Sequence, residues 1–200
     1  MSIMKHIQQH SGSVCHSYEN GLVFQEAIDQ IVYHFFINKN QNKLTLLSNI
    51  HEYTRSKVFL GSSTRLSSLA ILINHLLKFV PYQSSKRLFI VSPTKDIYIK
   101  ELNATLSLKL EIGEWKNNDY YILKKFVWGE ADRQLLVDLI IIYCNYAYIK
   151  PPKEIEIFDL YAGVKTNYPL GTLQSALNRV KLQIGNASNI REASFYLIKN

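Results

Sequence analysis

Residues 170–184 read Leu170-Gly171-Thr172-Leu173-Gln174-Ser175-Ala176-Leu177-Asn178-Arg179-Val180-Lys181-Leu182-Gln183-Ile184. Leu170, Leu173, Ala176, Leu177, Val180 and Ile184 recur at steps of three and four, which predicts a helix with one buried stripe. The other face carries Gln174, Ser175, Asn178 and Arg179, with Lys181 at its rim, and has no carboxylate. Amides and cations without acids suit a DNA groove, where base edges offer paired donors and acceptors between rows of phosphates. Gly185-Asn186 supplies a left-handed stop where the stripe runs out.

Working backwards, Val164 to Pro169 reads as a turn, and Lys153 to Tyr161 as a short helix with Ile155, Phe158 and Leu160 apolar. Pro151-Pro152 starts that helix and Gly163 ends it. Before it, Glu130-Ala131-Asp132-Arg133 opens a helix from about Asp132 to Tyr146, with acids in the first turn to complement the macrodipole. Apolar residues crowd this helix all round, so it belongs to the core. Working forwards, Ile190 to Ile198 holds one or two strands with Phe195, Tyr196 and Leu197. Helix, turn, helix and hairpin in that order describe a winged helix-turn-helix. Upstream, Trp115, the turn Lys116-Asn117-Asn118-Asp119 and Tyr120-Tyr121-Ile122-Leu123 predict a hairpin within Glu111 to Val127.

The first half is less regular. Met1 to Asn20 is a polar arm whose His6, His10, Cys15 and His16 match no structural zinc spacing. Leu22, Val23, Ala27, Ile28 and Ile31 predict a short helix. Three β-rich runs follow, Val32 to Ile37, Leu44 to Leu47 and Lys57 to Leu60, with a turn at Asn38 to Asn42 between the first two. Gly61-Ser62-Ser63-Thr64 caps a helix from about Arg65 to Phe79, which Pro81 stops. Ser84 to Val91 fits a short helix or a strand. Ile99, Leu102, Leu106 and Leu110 keep a helical spacing, although Leu106 to Ile112 also alternates like a strand.

The chain has 200 residues, 47% of them hydrophobic, which is enough to bury one ordinary core or two small ones. Its formal charge of +7 favours a polyanionic partner through counterion release, and is also compatible with a basic protein that has none. The local pattern is sharper. From Leu160 to Arg191 there is no Asp or Glu, while Lys165, Arg179, Lys181 and Arg191 are basic. Cys15 and Cys144 are too few and too far apart to form a disulfide framework. The N-terminus lacks the apolar run of a signal peptide, and Leu135 to Ile149, broken by Asp138 and Asn145, is too short for a bilayer. The expectation is a cytoplasmic protein with no membrane contact.

Over Leu108 to Lys199 the chain resembles the DNA-binding domains of OmpR-like and ToxR-like bacterial transcription regulators. Ile112-Gly113-Glu114-Trp115 is similar to the family's opening strand and Ala131-Asp132-Arg133-Gln134-Leu135-Leu136 to the start of its first helix. Leu173, Ala176, Leu177, Val180, Ile184 and Gly185-Asn186 follow its recognition-helix pattern, with Lys181 at a habitual basic position, and Ile190-Arg191 with Tyr196 resembles its wing. A fainter likeness covers Phe36 to Leu47 and Leu60 to Leu66. The resemblance implies an α+β fold: a winged helix-turn-helix, or two in tandem, each with a small antiparallel sheet. The arm would cover 1–20, an N-terminal α/β domain 21–109, itself a degenerate winged helix or an unrelated small domain, and the DNA-binding domain 110–200.

The function implied is sequence-specific transcription regulation on double-stranded DNA, with a homodimer or a partner regulator as further candidates. Gln174, Ser175, Asn178 and Arg179 are assigned to base edges, since Asn or Gln suits adenine and Arg suits guanine. Lys165, Thr166, Thr172, Lys181 and Arg191 are assigned to phosphates. No metal or cofactor is expected. The wing Glu192-Ala193-Ser194-Phe195 is short, acidic and without glycine, which motivates the other reading, a degenerate winged helix that docks a protein. Catalysis is not expected: His34, His51 and His75 are scattered, Glu154 and Glu156 share no helix face, and no phosphate loop, HExxH or GxSxG is present.

Overall fold

The computed structural model describes residues 14–38, 40–55, 63–80, 88–91, 96–109, 112–116, 119–129, 132–148, 150–185 and 197–198. Three helices come first: α1 Val14–Ile37, α2 Lys43–Thr54 and α3 Ser63–Phe79. Strands β1 Leu88–Ile90, β2 Ile97–Ile99, β3 Ala104–Leu106, β4 Ile112–Lys116 and β5 Tyr120–Val127 follow, then α4 Arg133–Ala147, β6 Glu154–Asp159, β7 Val164–Pro169, α5 Leu173–Gly185 and β8 Leu197–Ile198. The fold is α+β. One sheet runs β1-β4-β5-β6-β7, antiparallel except for β5 and β6, which are parallel and joined across α4. A smaller antiparallel sheet runs β2-β3-β8.

Both faces of the large sheet are covered. Leu123, Val127, Ile155 and Ile157 point to α4 and α5, where Leu139, Ile140, Ala176, Leu177 and Val180 are buried. Ile112, Phe126 and Phe158 point the other way, against Phe24, Ile28 and Phe35 of α1 and Leu72 and Leu76 of α3. The expected boundary at 109/110 therefore divides a shared structure. Strand β1 pairs with β4 and β3 with β8, so each sheet takes strands from both halves.

Several expected elements change class. Val32 to Ile37 is the end of α1, because Ile28, Ile31, Val32, Phe35 and Phe36 are all buried and extend one helical stripe that outweighs their β propensity. The same helix takes in the last residues of the expected arm, 14–20, while 1–13 lie outside the described residues. Leu44 to Leu47 belongs to α2, whose N-cap Asn42 accepts from the Thr45 amide at 2.9 Å. Lys57 to Leu60 lies outside the described residues. Strands β2 and β3 occupy the ambiguous stretch after Asp96, joined by a 3₁₀ turn that ends on Asn103 at φ 46°. Neither expectation describes the stretch: Ile99 and Leu106 lie in strands, not on a helix, and the strand expected from Leu106 to Ile112 is the last residue of β3, irregular backbone at 107–109 and the first residue of β4, with 110–111 outside the described residues.

The largest correction is at Lys153 to Tyr161, which is strand β6 rather than a helix. Glu154-Ile155-Glu156-Ile157 alternates with period two, and both isoleucines are β-branched, so the apolar pair Ile155 and Phe158 only mimicked a helical step. Val164 to Pro169, expected as a turn, is the next strand. Between them Asp159 Oδ1 accepts from the amides of Tyr161 and Ala162, each at 2.9 Å. Gly163 then turns the chain at φ 68°. The second helix of a helix-turn-helix is thus replaced by a hairpin in the sheet. Helices α3, α4 and α5 and the hairpin β4–β5 stand where the sequence places them.

Candidate nucleic-acid interface

Helix α5 begins at a cap. Thr172 Oγ1 accepts from the Ser175 amide at 3.2 Å and its carbonyl accepts from Ala176 at 3.1 Å. Ala176, Leu177 and Val180 then point inwards onto α4, as the stripe requires. Gln174, Ser175, Asn178 and Lys181 are exposed, so five of the expected contact residues, with Thr172, share one surface. Gln174 Nε2 donates to Asn178 Oδ1 at 3.0 Å. That bond aligns the two amides and leaves the Gln174 carbonyl and the Asn178 amino group to face a partner as one acceptor and one donor.

Arg179 has work inside the fold. Its Nε and Nη2 donate to the two oxygens of Asp138 at 2.8 and 2.7 Å, and the Asp138 side chain is 1% exposed. Gln134 adds a third hydrogen bond to Asp138 at 3.1 Å. The bond to Asp138 raises the Arg179 pKa above its ordinary value, against a smaller opposing effect of burial. A guanidinium drawn to guanine would strand a buried carboxylate, which is costly. Gln183 fastens the other end of α5 by donating to Asp132 Oδ2 at 3.0 Å, while Asp132 Oδ1 caps α4.

The assigned phosphate contacts divide. Lys181 is exposed near Glu101, whose pKa is lowered first by the hydrogen bond from Tyr146 and more weakly by Lys181. Lys165 sits opposite Phe158 in register, with its Nζ over the Phe158 ring, so it lies on the α1–α3 side of the sheet, away from α5. There it donates to Glu156 Oε1 at 2.6 Å. Thr166 opposes Ile157, on the α5 side, and is half-buried. Arg191 lies outside the described residues.

Sequence reasoning missed Lys150 and Lys153. The Lys153 carbonyl accepts from the Leu170 amide at 3.1 Å, which ties it to the chain two residues before Thr172. Lys150-Pro151-Pro152-Lys153 is visible as a basic, proline-held loop, but only the register of β6 with β7 places it beside α5. Among the described residues no group of three or more His, Cys, Asp or Glu could hold a metal ion, and no helix is long and apolar enough to cross a membrane. Cys144 is buried, which pushes its thiol up to about 12 and leaves it unreactive. No protein-family model matches the chain, and no curated protein matches it.

Proposed function

We propose that this protein is a sequence-specific DNA-binding transcription regulator that presents α5 to the major groove. The observation that carries the reading is the exposed face of Gln174, Ser175, Asn178 and Lys181, none of them acidic, on a helix held from behind by Ala176, Leu177 and Val180. Gln174 and Asn178 read bases, Thr172 and Lys181 reach phosphates, and Arg179 holds the helix through Asp138. The frame differs from the one the resemblance implies, since α4 and a buried ion pair do the positioning that a preceding helix does in a helix-turn-helix.

Retention of genomic DNA fragments at low and moderate salt, followed by sequencing, tests this. A common retained site whose binding falls steeply with salt is the expected result. A two-fold repeat in that site would report two copies of the chain. Uniform or absent retention would contradict the reading. Leu182, 69% exposed on α5, favours a second one, in which the same helix docks a protein. Loss of a partner from a Leu182→Ser variant with DNA binding absent throughout would support it.

A further inference from the structure

At the end of the sheet where β4 turns into β5, two lysines rest on two aromatic rings. Lys153 Nζ stands 4.4 Å from the Tyr120 ring centre and Lys150 Nζ 5.9 Å from that of Trp115. Neither ammonium has a carboxylate partner among the described residues. Trp115 is braced by Phe89 and Tyr121, with ring centres 5.7 and 5.5 Å away, and Tyr121 Oη donates to the Lys150 carbonyl at 3.0 Å. Tyr120 and Lys153 line an open cleft of about 240 Å³ with Glu154 and Pro169.

We propose that this end of the sheet binds single-stranded nucleic acid, one base stacking on Tyr120 in the cleft and a neighbouring one on Trp115. Lys153 and Lys150 then leave the ring faces for the phosphates on either side. Each part follows from the geometry. A ring face that already attracts a cation is open to a flat π partner, and stacking on an aromatic platform binds any base more firmly than an exposed lysine is held. Bracing by Phe89 and Tyr121 fixes Trp115 before the ligand arrives. Lys150 Nζ donates to the Asp119 carbonyl, an uncharged partner that leaves its positive charge uncompensated, and the two ammoniums outnumber Glu154, the cleft's one carboxylate, so a polyanion is favoured over a neutral aromatic. Trp115 pairs with Tyr121 and Lys116 with Tyr120, which puts the two rings on opposite faces of the hairpin. A strand therefore crosses over the hairpin end, a path open to unpaired bases and closed to a duplex, whose base faces are hidden. This site is separate from the face of α5 and does not depend on its role.

The chain's two tryptophans are Trp115 and Trp128. A Trp128→Phe protein, which keeps a ring stacked on Phe24, makes Trp115 the sole fluorescent reporter. It is titrated at low salt with 15-residue oligo(dT), 15-residue oligo(rU) and a 15-base-pair duplex. Saturable quenching by either single strand and none by the duplex is expected. Tyr120→Leu and Lys153→Gln should each weaken single-strand binding about tenfold, Tyr120→Phe should restore it, and Gln174→Ala with Asn178→Ala should leave it unchanged. No quenching, equal quenching by the duplex, or Tyr120→Leu binding within twofold of the parent while Tyr120→Phe shows the protein folded, would overturn the proposal.

Discussion

Asp138 shows what a single residue does here. Its carboxylate is buried between α4 and α5, and the bidentate bond from Arg179 makes that burial tolerable. Arg179→Ala should destabilise the protein by about 3 kcal/mol, the lower end for breaking a buried pair because the Arg179 side chain is 44% exposed to screening. Asp138→Leu combined with Arg179→Leu should recover most of that loss in urea unfolding; an unchanged midpoint for Arg179→Ala would contradict the assignment. A second charged set crosses the sheet. Lys124 bonds Glu156 at 2.6 Å and Glu114 at 3.0 Å, and Lys165 bonds Glu156 from the other side. Burial alone would raise the Glu156 carboxyl, but the hydrogen bonds from Lys124 and Lys165 prevail and hold it below its ordinary value; Glu114 is lowered in the same way by Lys116 and Lys124. A folded pKa below the unfolded one means stability that is full above about pH 4.3, the free glutamate value, and lost as pH falls further. Glu156→Gln should therefore lose less stability than the parent between pH 5 and pH 3, and parallel curves would remove the network from the explanation.

At the scale of elements, α5 and the hairpin β6–β7 make opposite lessons. The stripe of α5 was legible because helical period, cap and stop agreed over a long segment. Strand β6 was not, because Pro151-Pro152 and Gly163 punctuate a helix and a strand alike, and Ile155 and Phe158 stand one helical step apart although a strand sends them to opposite faces. What decides between them is the sheet itself: Ile155 and Ile157 bury against α4, and Phe158 against α1 and α3. Val32 to Ile37 misled in the reverse direction, since Val32, Phe35 and Phe36 form the buried side of a helix whose Tyr33 and Ile37 are exposed. In the candidate site, the polar face of α5 could be read from spacing, whereas the ion pair of Arg179 with Asp138 joins residues 41 apart and needs the packing of two helices. Leu177→Ala should cost about 2–5 kcal/mol by opening a cavity between α4 and α5. Gly163→Ala should cost about 1–3 kcal/mol, since φ is 68° and the new Cβ would stand 2.4 Å from His75 Nε2. His75 is itself held by donating from Nδ1 to the Leu160 carbonyl at 2.7 Å.

On the scale of the whole molecule, one sheet serves two cores, and neither half of the chain owns it. A fragment of residues 110–200 would expose Ile112, Phe126 and Phe158, which α1 and α3 cover in the full chain. It should fail to show a cooperative unfolding transition, whereas a fragment as stable as the whole would mean that the halves fold independently. Under the proposed function, this arrangement would present α5 without a helix-turn-helix: α5 is backed by α4, which is backed by the sheet, which is backed by α1 and α3. The most direct measurement is the affinity of parent and Asn178→Ala proteins for a selected DNA site and for the same site scrambled, at matched salt. A parent preference for the selected site that Asn178→Ala reduces about tenfold or more, with similar binding to the scrambled site, is the expected result. Equal affinity of the parent for both sequences, or an unaltered preference in Asn178→Ala, would contradict the assignment of α5 as the reading element.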